Sequence, residues 1–318
     1  MGLLRRRPPA ATVAAAPSAD ALVAARALVV RFGRVEALRG LDLDVRRGEL
    51  FALIGPDGAG KTTLFRTIAG VQRPSAGRVL TGGVHTMGMV PQRFALYEDL
   101  SIEENLRLRA RLYGVPDAVA RARWTDLLAR VGLDRFTARL AGALSGGMKQ
   151  KLSLVSALIT EPELLLLDEP TTGVDPVSRR EFWLLLNQLH HDGLTILVST
   201  PYMDEAEYAT RIGFLDRGRL GALGTREEIL AAYSRPLVEV RSSNRLAIRE
   251  RLAHLAEVDD VSLFGTRLHV RGREGTAAAL EAVVERALDG VVGPGEVEPL
   301  QPTLEDVFVL AHEATVGD

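Results

Sequence analysis

Residues 49–70, ELFALIGPDGAGKTTLFRTIAG, constrain the fold of this chain more than any other stretch. A short apolar run gives way to Gly55-x-x-x-x-Gly60-Lys61-Thr62, and an amphipathic pattern follows at once. That order puts a glycine turn between the end of a buried strand and the start of a helix. Glycines let backbone N–H groups converge on an anion with no Cβ in the way. The helix adds unpaired donors and the positive end of its dipole. Gly55, Pro56, Asp57, Gly58, Ala59, Gly60, Lys61, Thr62 and Thr63 are therefore the expected nucleotide-binding residues. Lys61 is placed to reach β and γ phosphates, and the Thr62 hydroxyl to ligate Mg²⁺. A glycine-rich turn carrying a surface lysine would share the glycines but not the strand, the spacing and the Lys-Thr pair together.

A second segment, ELLLLDEP, completes such a site. Its apolar run reads as a buried strand that delivers Asp168 and Glu169 at its end. Asp168 can hold Mg²⁺ directly or through water, and Glu169 can polarise an attacking water. Alone, the segment could be an acid-capped strand entering a helix.

The runs ELFALIG (49–55), LLLL (164–167) and LTILVST (194–200) suit strands buried on both faces of a mostly parallel sheet. Helical patterns at 61–69, 101–112, 117–131, 147–159 and 176–191 alternate with them, which predicts an α/β architecture up to residue 233. Residues 1–24 are rich in alanine and proline, and Pro8, Pro9, Pro17 and Asp20 interrupt any apolar core. They read as a disordered tail rather than a secretory leader. From 234 to 318 the order is strand, helix, two strands, helix, strand and a last helix from Thr303, a split-βαβ pattern for a small accessory α+β domain. Nothing in its residues suggests catalysis.

The net charge of −2 supplies no basic field for nucleic acid. The absence of cysteine excludes disulfides and thiolate metal sites, and fits a reducing compartment. No stretch approaches the roughly 20 apolar residues of a membrane span. Of 39 basic residues only Lys61, Lys149 and Lys151 are lysine. Against that arginine background, each lysine hints at a local need for a compact ammonium.

Between the two motifs lies LSGGMKQK, residues 144–151. Together the three motifs resemble the ATP-binding subunits of ABC transporters, over about residues 25–233. The resemblance implies an ABC cassette fold, with a small antiparallel part and a helical subdomain beside the main sheet. It implies ATP and Mg²⁺ as ligands, ATPase activity, a second cassette and transmembrane permease subunits as partners, and a peripheral place on the cytoplasmic face of the membrane. Ser145, Gly146 and Gly147 would grip the γ-phosphate of ATP on the second cassette. Without a ligand assigned, the same atoms form an N-capping serine with flexible glycines. Phe32 matches the adenine-stacking aromatic, although an edge-strand phenylalanine would serve burial equally. Gln92 matches the glutamine that approaches Mg²⁺, so Glu169, Lys61 and Gln92 form the implied catalytic set, and Thr62, Gln92 and Asp168 the metal set. Asp175, in TTGVDP, matches the loop joining the two subunits' sites, with Thr172 and Val174 departing from the usual Ser-Gly-Leu-Asp.

GPDGAGKTTLFRTIAG, LSGGMKQKLSL, YMDEAE and PTLEDVFV resemble the ABC-2 type, drug-exporter-like branch. The stretch SAGRVLTGGVHTMGMVPQ is short for the family, which implies a trimmed antiparallel part. After the strand LTILVST the family reads histidine, where this chain has Pro201. Proline offers neither a side-chain donor nor an N–H, so it cannot replace that contact. It would suit the first position of a helix capped by Thr200, with Asp204 and Glu205 at the positive end of the dipole. The transported substrate is not legible in these residues.

Overall fold

In a computed structural model the described residues are 20–242, 244–293 and 295–316. The chain divides into two compact units, one running to Thr225 and including the C-terminal end from Ala311, the other Arg226–Leu310. The break falls before the expected 233/234 boundary. Tyr233 explains the difference, because it lies among Leu237, His269 and Asp306 of the second unit.

The first unit is built on a six-stranded sheet of order β5-β6-β7-β3-β8-β9. Its strands are β3 (Leu50–Ile54), β5 (Met87–Val90), β6 (Leu164–Asp168), β7 (Thr195–Thr200), β8 (Arg211–Asp216) and β9 (Arg219–Gly224). All but β9 run parallel to their neighbours. Every residue of β3, β6 and β7 is buried, as their unbroken apolar runs require of strands covered on both faces. The covering helices include α1 (Lys61–Ile68) and α5 (Pro176–His191).

A three-stranded antiparallel sheet of β1 (Ala21–Phe32), β2 (Val35–Arg46) and β4 (Ala76–Thr81) packs in the same core. β1 starts earlier than the sequence suggested. Leu22, Val23 and Ala24 are buried in it, so 21–24 belong to the folded unit, while residues 1–19 of the expected tail lie outside the described residues. Apolar burial outweighed the alanine-rich look of that segment.

The helical part comprises α2 (Ile102–Leu112), α3 (Asp117–Arg130) and α4 (Gly146–Leu158). A reciprocal capping box of Ser101 and Glu104 starts α2. One turn in, buried Asn105 donates to the carbonyls of Tyr97, Leu100 and Ser101 and accepts from the Tyr97 N–H at 2.9 Å. A single amide thus holds the loop that enters the helix.

The second unit carries an antiparallel sheet of order β11-β12-β10-β13, from β10 (Leu237–Arg241), β11 (Val258–Phe264), β12 (Arg267–Gly272) and β13 (Val297–Pro299). Helices α8 (Arg245–Ala253) and α9 (Ala277–Ala287) cover it, with Ile248, Leu252, Leu280 and Val284 in its core. Inserting β12 between β10 and β11 is the split-βαβ arrangement expected from the element order. At the start of α10 (Leu304–Val316), Asp306 accepts from the Thr303 N–H and hydroxyl and lies 2.8 Å from His269 Nδ1.

Two outcomes are expected. Asn105→Ala removes four hydrogen bonds from this loop, the acceptor of the Tyr97 N–H among them, and should lower urea-unfolding stability by about 1–3 kcal/mol. Burial disfavours ionisation of Asp306, but hydrogen bonds from His269 and Thr303 outweigh it and hold the carboxyl below its ordinary value. A depressed carboxyl stabilises the fold above its unfolded pKa, and that contribution disappears as pH falls through the folded one. The melting temperature of the wild type should therefore drop more steeply below about pH 4 than that of Asp306→Asn.

Candidate functional site

The carboxyl ends of β3, β7 and β6 lie side by side, since β3 pairs with β7 and β7 with β6. In an open parallel sheet this edge is where ligands bind. Registers Ile54↔Thr200 and Asp168↔Ser199 bring the glycine loop, the Ser199–Pro201 segment and the two acids into one crevice.

The glycines of the loop meet packing limits. A Cβ on Gly55 would stand 2.1 Å from the Leu215 carbonyl, and one on Gly60, at φ +110°, 2.6 Å from the Ala37 carbonyl. Ala37 follows the β1–β2 hairpin, so Phe32, where that hairpin turns, lies on the strand pair beside the loop. Phe32 is 50% exposed, which argues against simple burial. α1 begins at Lys61 with no side-chain cap and no acid in its first turn. Its terminal N–H groups and dipole are thus left for an anion.

Lys61 folds back along the loop. Its Nζ donates to the Gly55 carbonyl at 2.6 Å and the Pro56 carbonyl at 3.0 Å, and lies 3.0 Å from Glu169 Oε1. The other Glu169 oxygen accepts from Gln92 Nε2 at 2.9 Å and from the Thr172 hydroxyl at 3.4 Å. The three residues expected to be catalytic are therefore gathered on one carboxylate. Asp168 Oδ1 accepts from the Ser199 hydroxyl at 2.9 Å, and the Thr62 hydroxyl is close enough to favour its ionised form. Burial is the largest influence on Asp168 and raises its carboxyl above the ordinary range, while the hydrogen bonds from Thr62 and Ser199 pull the other way.

Ser145 caps α4 by accepting from the Met148 N–H, and it is exposed. Its hydrogen bond is to its own helix. Gly147 packs against the start of α5, where a Cβ would meet Ser178 Oγ at 2.9 Å. Asp175 caps α5 through the Ser178 N–H at 2.9 Å, a bond that leads the causes of its lowered carboxyl pKa. Signature turn and Asp175 loop are therefore neighbours.

Pro201 follows β7 directly, but it does not start a helix. α6 spans Met203–Ala206 with Tyr202 at its N-cap, so Pro201 lies outside it. Thr200 is no cap either. Its hydroxyl donates to Glu205 Oε2 at 2.5 Å and accepts from the Tyr202 N–H. Asp204 and Glu205 stand in the first turn of α6, as expected. Glu205 is buried there, accepting from Thr171 at 2.7 Å and lying 3.4 Å from Arg179 Nε. The extended backbone of Tyr202 delays the helix and turns Glu205 inward. His190 and His191 end α5 ahead of β7, at the opposite edge of the sheet from the site.

Ser199 escaped the sequence reading. Its hydroxyl donates to Asp168 Oδ1 and accepts from the Glu169 N–H, both at 2.9 Å. A hydroxyl residue inside the apolar run LTILVST, one strand away from the acids, was the available signal.

A family model described as ABC transporter matches residues 38–172. The chain is 37% identical over 306 residues to the probable multidrug ABC transporter ATP-binding protein YbhF of Escherichia coli (strain K12). The match covers 91% of this chain and 52% of that protein, so the chain spans about half the length of this relative. It is 36% identical over 307 residues to the daunorubicin resistance ATP-binding protein DrrA3 of Streptomyces coeruleorubidus, covering 92% of this chain and 96% of that one. Among solved structures it is similar to a dimeric ATP-binding cassette in a post-hydrolysis state bound to ADP and Pi. There the TM-score is 0.57 and the identity 26%, over 64% of this chain and 98% of that chain. With the loop, the paired acids and the signature turn all in place, the chain belongs to the ABC transporter family, as an ATP-binding subunit related to the drug-resistance ATPases of its ABC-2 type exporters.

Proposed function

We propose that this chain binds Mg-ATP and hydrolyses it, as the energising subunit of a membrane exporter. The observation that carries the reading is Glu169, held between Lys61 and Gln92 at the mouth of the glycine loop. The residues fit the ligand. Uncapped N–H groups at the start of α1 and the Lys61 ammonium would take phosphate oxygens, and Phe32 would stack on the base. Thr62, Asp168 and Gln92 form an all-oxygen donor set suited to Mg²⁺, which would neutralise phosphate charge. Glu169 would accept a proton from the attacking water.

Ser145 and Gly146 are exposed, with Gly147 beside them against α5, so a phosphate contact of this turn would be made to ATP on a second cassette, identical or not. The similar solved cassette is dimeric. ATP bridging two such chains would close them, and transmembrane permease subunits at the cytoplasmic face would convert closure and reopening into transport. No helix among the described residues is long and apolar enough to cross a membrane. Related proteins are named for multidrug transport and daunorubicin resistance, which supports an exported small molecule here.

Pro201 modifies the reading. Losing one preorganised donor costs a transition state roughly 2.7–4 kcal/mol, about a hundred- to thousandfold in rate. Lys61, Asp168 and Glu169 remain, so turnover is expected to be slow rather than absent. A partner cassette with a histidine at this place would make one fast and one slow site.

Calorimetry should show Mg-ATP binding by the wild type, and Lys61→Ala should abolish it. Pro201→His should raise steady-state turnover at least tenfold, and an unchanged rate would show that proline is not the limiting defect. Ser199→Ala removes the donor that favours ionised Asp168. Mg²⁺-dependent ATP binding should then fail at a higher pH than in the wild type, as followed by titration between pH 5 and 8.

A further inference from the structure

We infer that Lys149 is a positioning residue that ties the loop carrying Gln92 to the signature helix, so that events at Glu169 are felt at Ser145. The inference rests on the ATP-binding reading above. Its starting point is the scarcity of lysine. All three lysines of the chain make close ammonium–carboxylate contacts: Lys61 with Glu169 at 3.0 Å, Lys149 with Glu98 at 2.7 Å, and Lys151 with Glu181 at 2.8 Å. The first belongs to the site already described. The third joins α4 to α5.

Lys149 joins two segments that otherwise serve different nucleotides. Its Nζ meets Glu98 and also lies 5.2 Å from the centroid of the Phe94 ring, an attraction between cation and π face. Both partners are in the loop that begins at Gln92. The backbone strengthens the join, since the Gly142 N–H donates to the Glu98 carbonyl and Ala141 to that of Leu100, each at 2.9 Å. Asn105 fixes the far end of the same loop. On the helix side, the Lys149 N–H donates to the Ser145 carbonyl at 2.9 Å, in the first turn of α4. A continuous path thus runs from Glu169 through Gln92, Phe94 and Lys149 to Ser145. If Gln92 shifts when nucleotide enters its own site, the latch carries that shift to the serine that would serve the opposite one. Each site would then report its occupancy to the other through the same chain.

The pair is half exposed, with Glu98 61% open to solvent, so it contributes little to stability. Hydrogen exchange on the full chain, with and without Mg-ATP, tests the latch. In the wild type, Mg-ATP should slow exchange in residues 92–98 and 141–149 together. Lys149→Gln or Glu98→Gln should retain ATP binding and an unchanged melting temperature. They should also keep the slowing around the glycine loop, and lose at least threefold of it at 141–149. The swapped double variant, Lys149→Glu with Glu98→Lys, should restore it. Full slowing at 141–149 in a single variant, or a swap without recovery, overturns the latch. So does a wild type that binds Mg-ATP yet shows no slowing there. A wild type that gives no heat with Mg-ATP overturns the ATP-binding reading and the latch with it.

Discussion

The buried contact between the Lys61 ammonium and the Glu169 carboxylate organises the first unit. Both side chains are almost fully buried, so each needs the other as counter-charge. Removing either would strand a charge in a low-dielectric crevice, at a cost of about 3–5 kcal/mol. The contact also joins the two halves of the sheet's functional edge, the loop after β3 and the acid after β6, across β7. Ser199 on β7 holds the backbone between them. Glu169 takes a left-handed conformation, φ +48°, which a non-glycine residue adopts at a cost of order 1–3 kcal/mol. Two bonds from its N–H, to the Ser199 carbonyl and hydroxyl, hold it there. Strain of this kind turns the side chain back toward Lys61 and Gln92 instead of along the strand.

Much of this architecture was legible in the sequence because it is local. Unbroken apolar runs can only be strands covered on both faces, and β3, β6 and β7 are buried throughout. The glycines of the loop were legible for the same reason, since a Cβ at Gly55 or Gly60 would meet backbone, and Gly58 takes a positive φ. Gln92 was singled out by resemblance alone and its contact with Glu169 was not foreseen, because nothing near a lone glutamine announces a partner 77 residues away. Ser199 and the burial of Glu205 were missed because both depend on contacts between separate segments. A serine in a strand becomes a ligand-orienting group only once its neighbour strand ends in two acids. Glu205 is the helix-start acid it looked like, and what the sequence hid was its burial against Thr200 and Thr171. The division near residue 225 was equally hidden, because it falls ahead of Tyr233, which lies among Leu237, His269 and Asp306.

The β7–α6 turn is held on several sides. Glu205 binds Thr200 and Thr171, and Arg179 reaches Asp204 and Glu205 while its guanidinium stacks 4.2 Å from the Tyr202 ring centroid. Proline fits such a turn because its φ is already fixed and its missing N–H leaves no group unsatisfied. A histidine here would have to supply its contact from a side chain alone, upon a backbone that Thr200 and Tyr202 already define. Clamp and proline are thus compatible: the turn keeps its shape with no side-chain donor at residue 201. That separates two properties that a histidine would merge, the geometry of the crevice and the chemistry at its rim. The shape of the turn therefore rests on Glu205, Arg179 and the two threonines, none of which depends on a donor at residue 201.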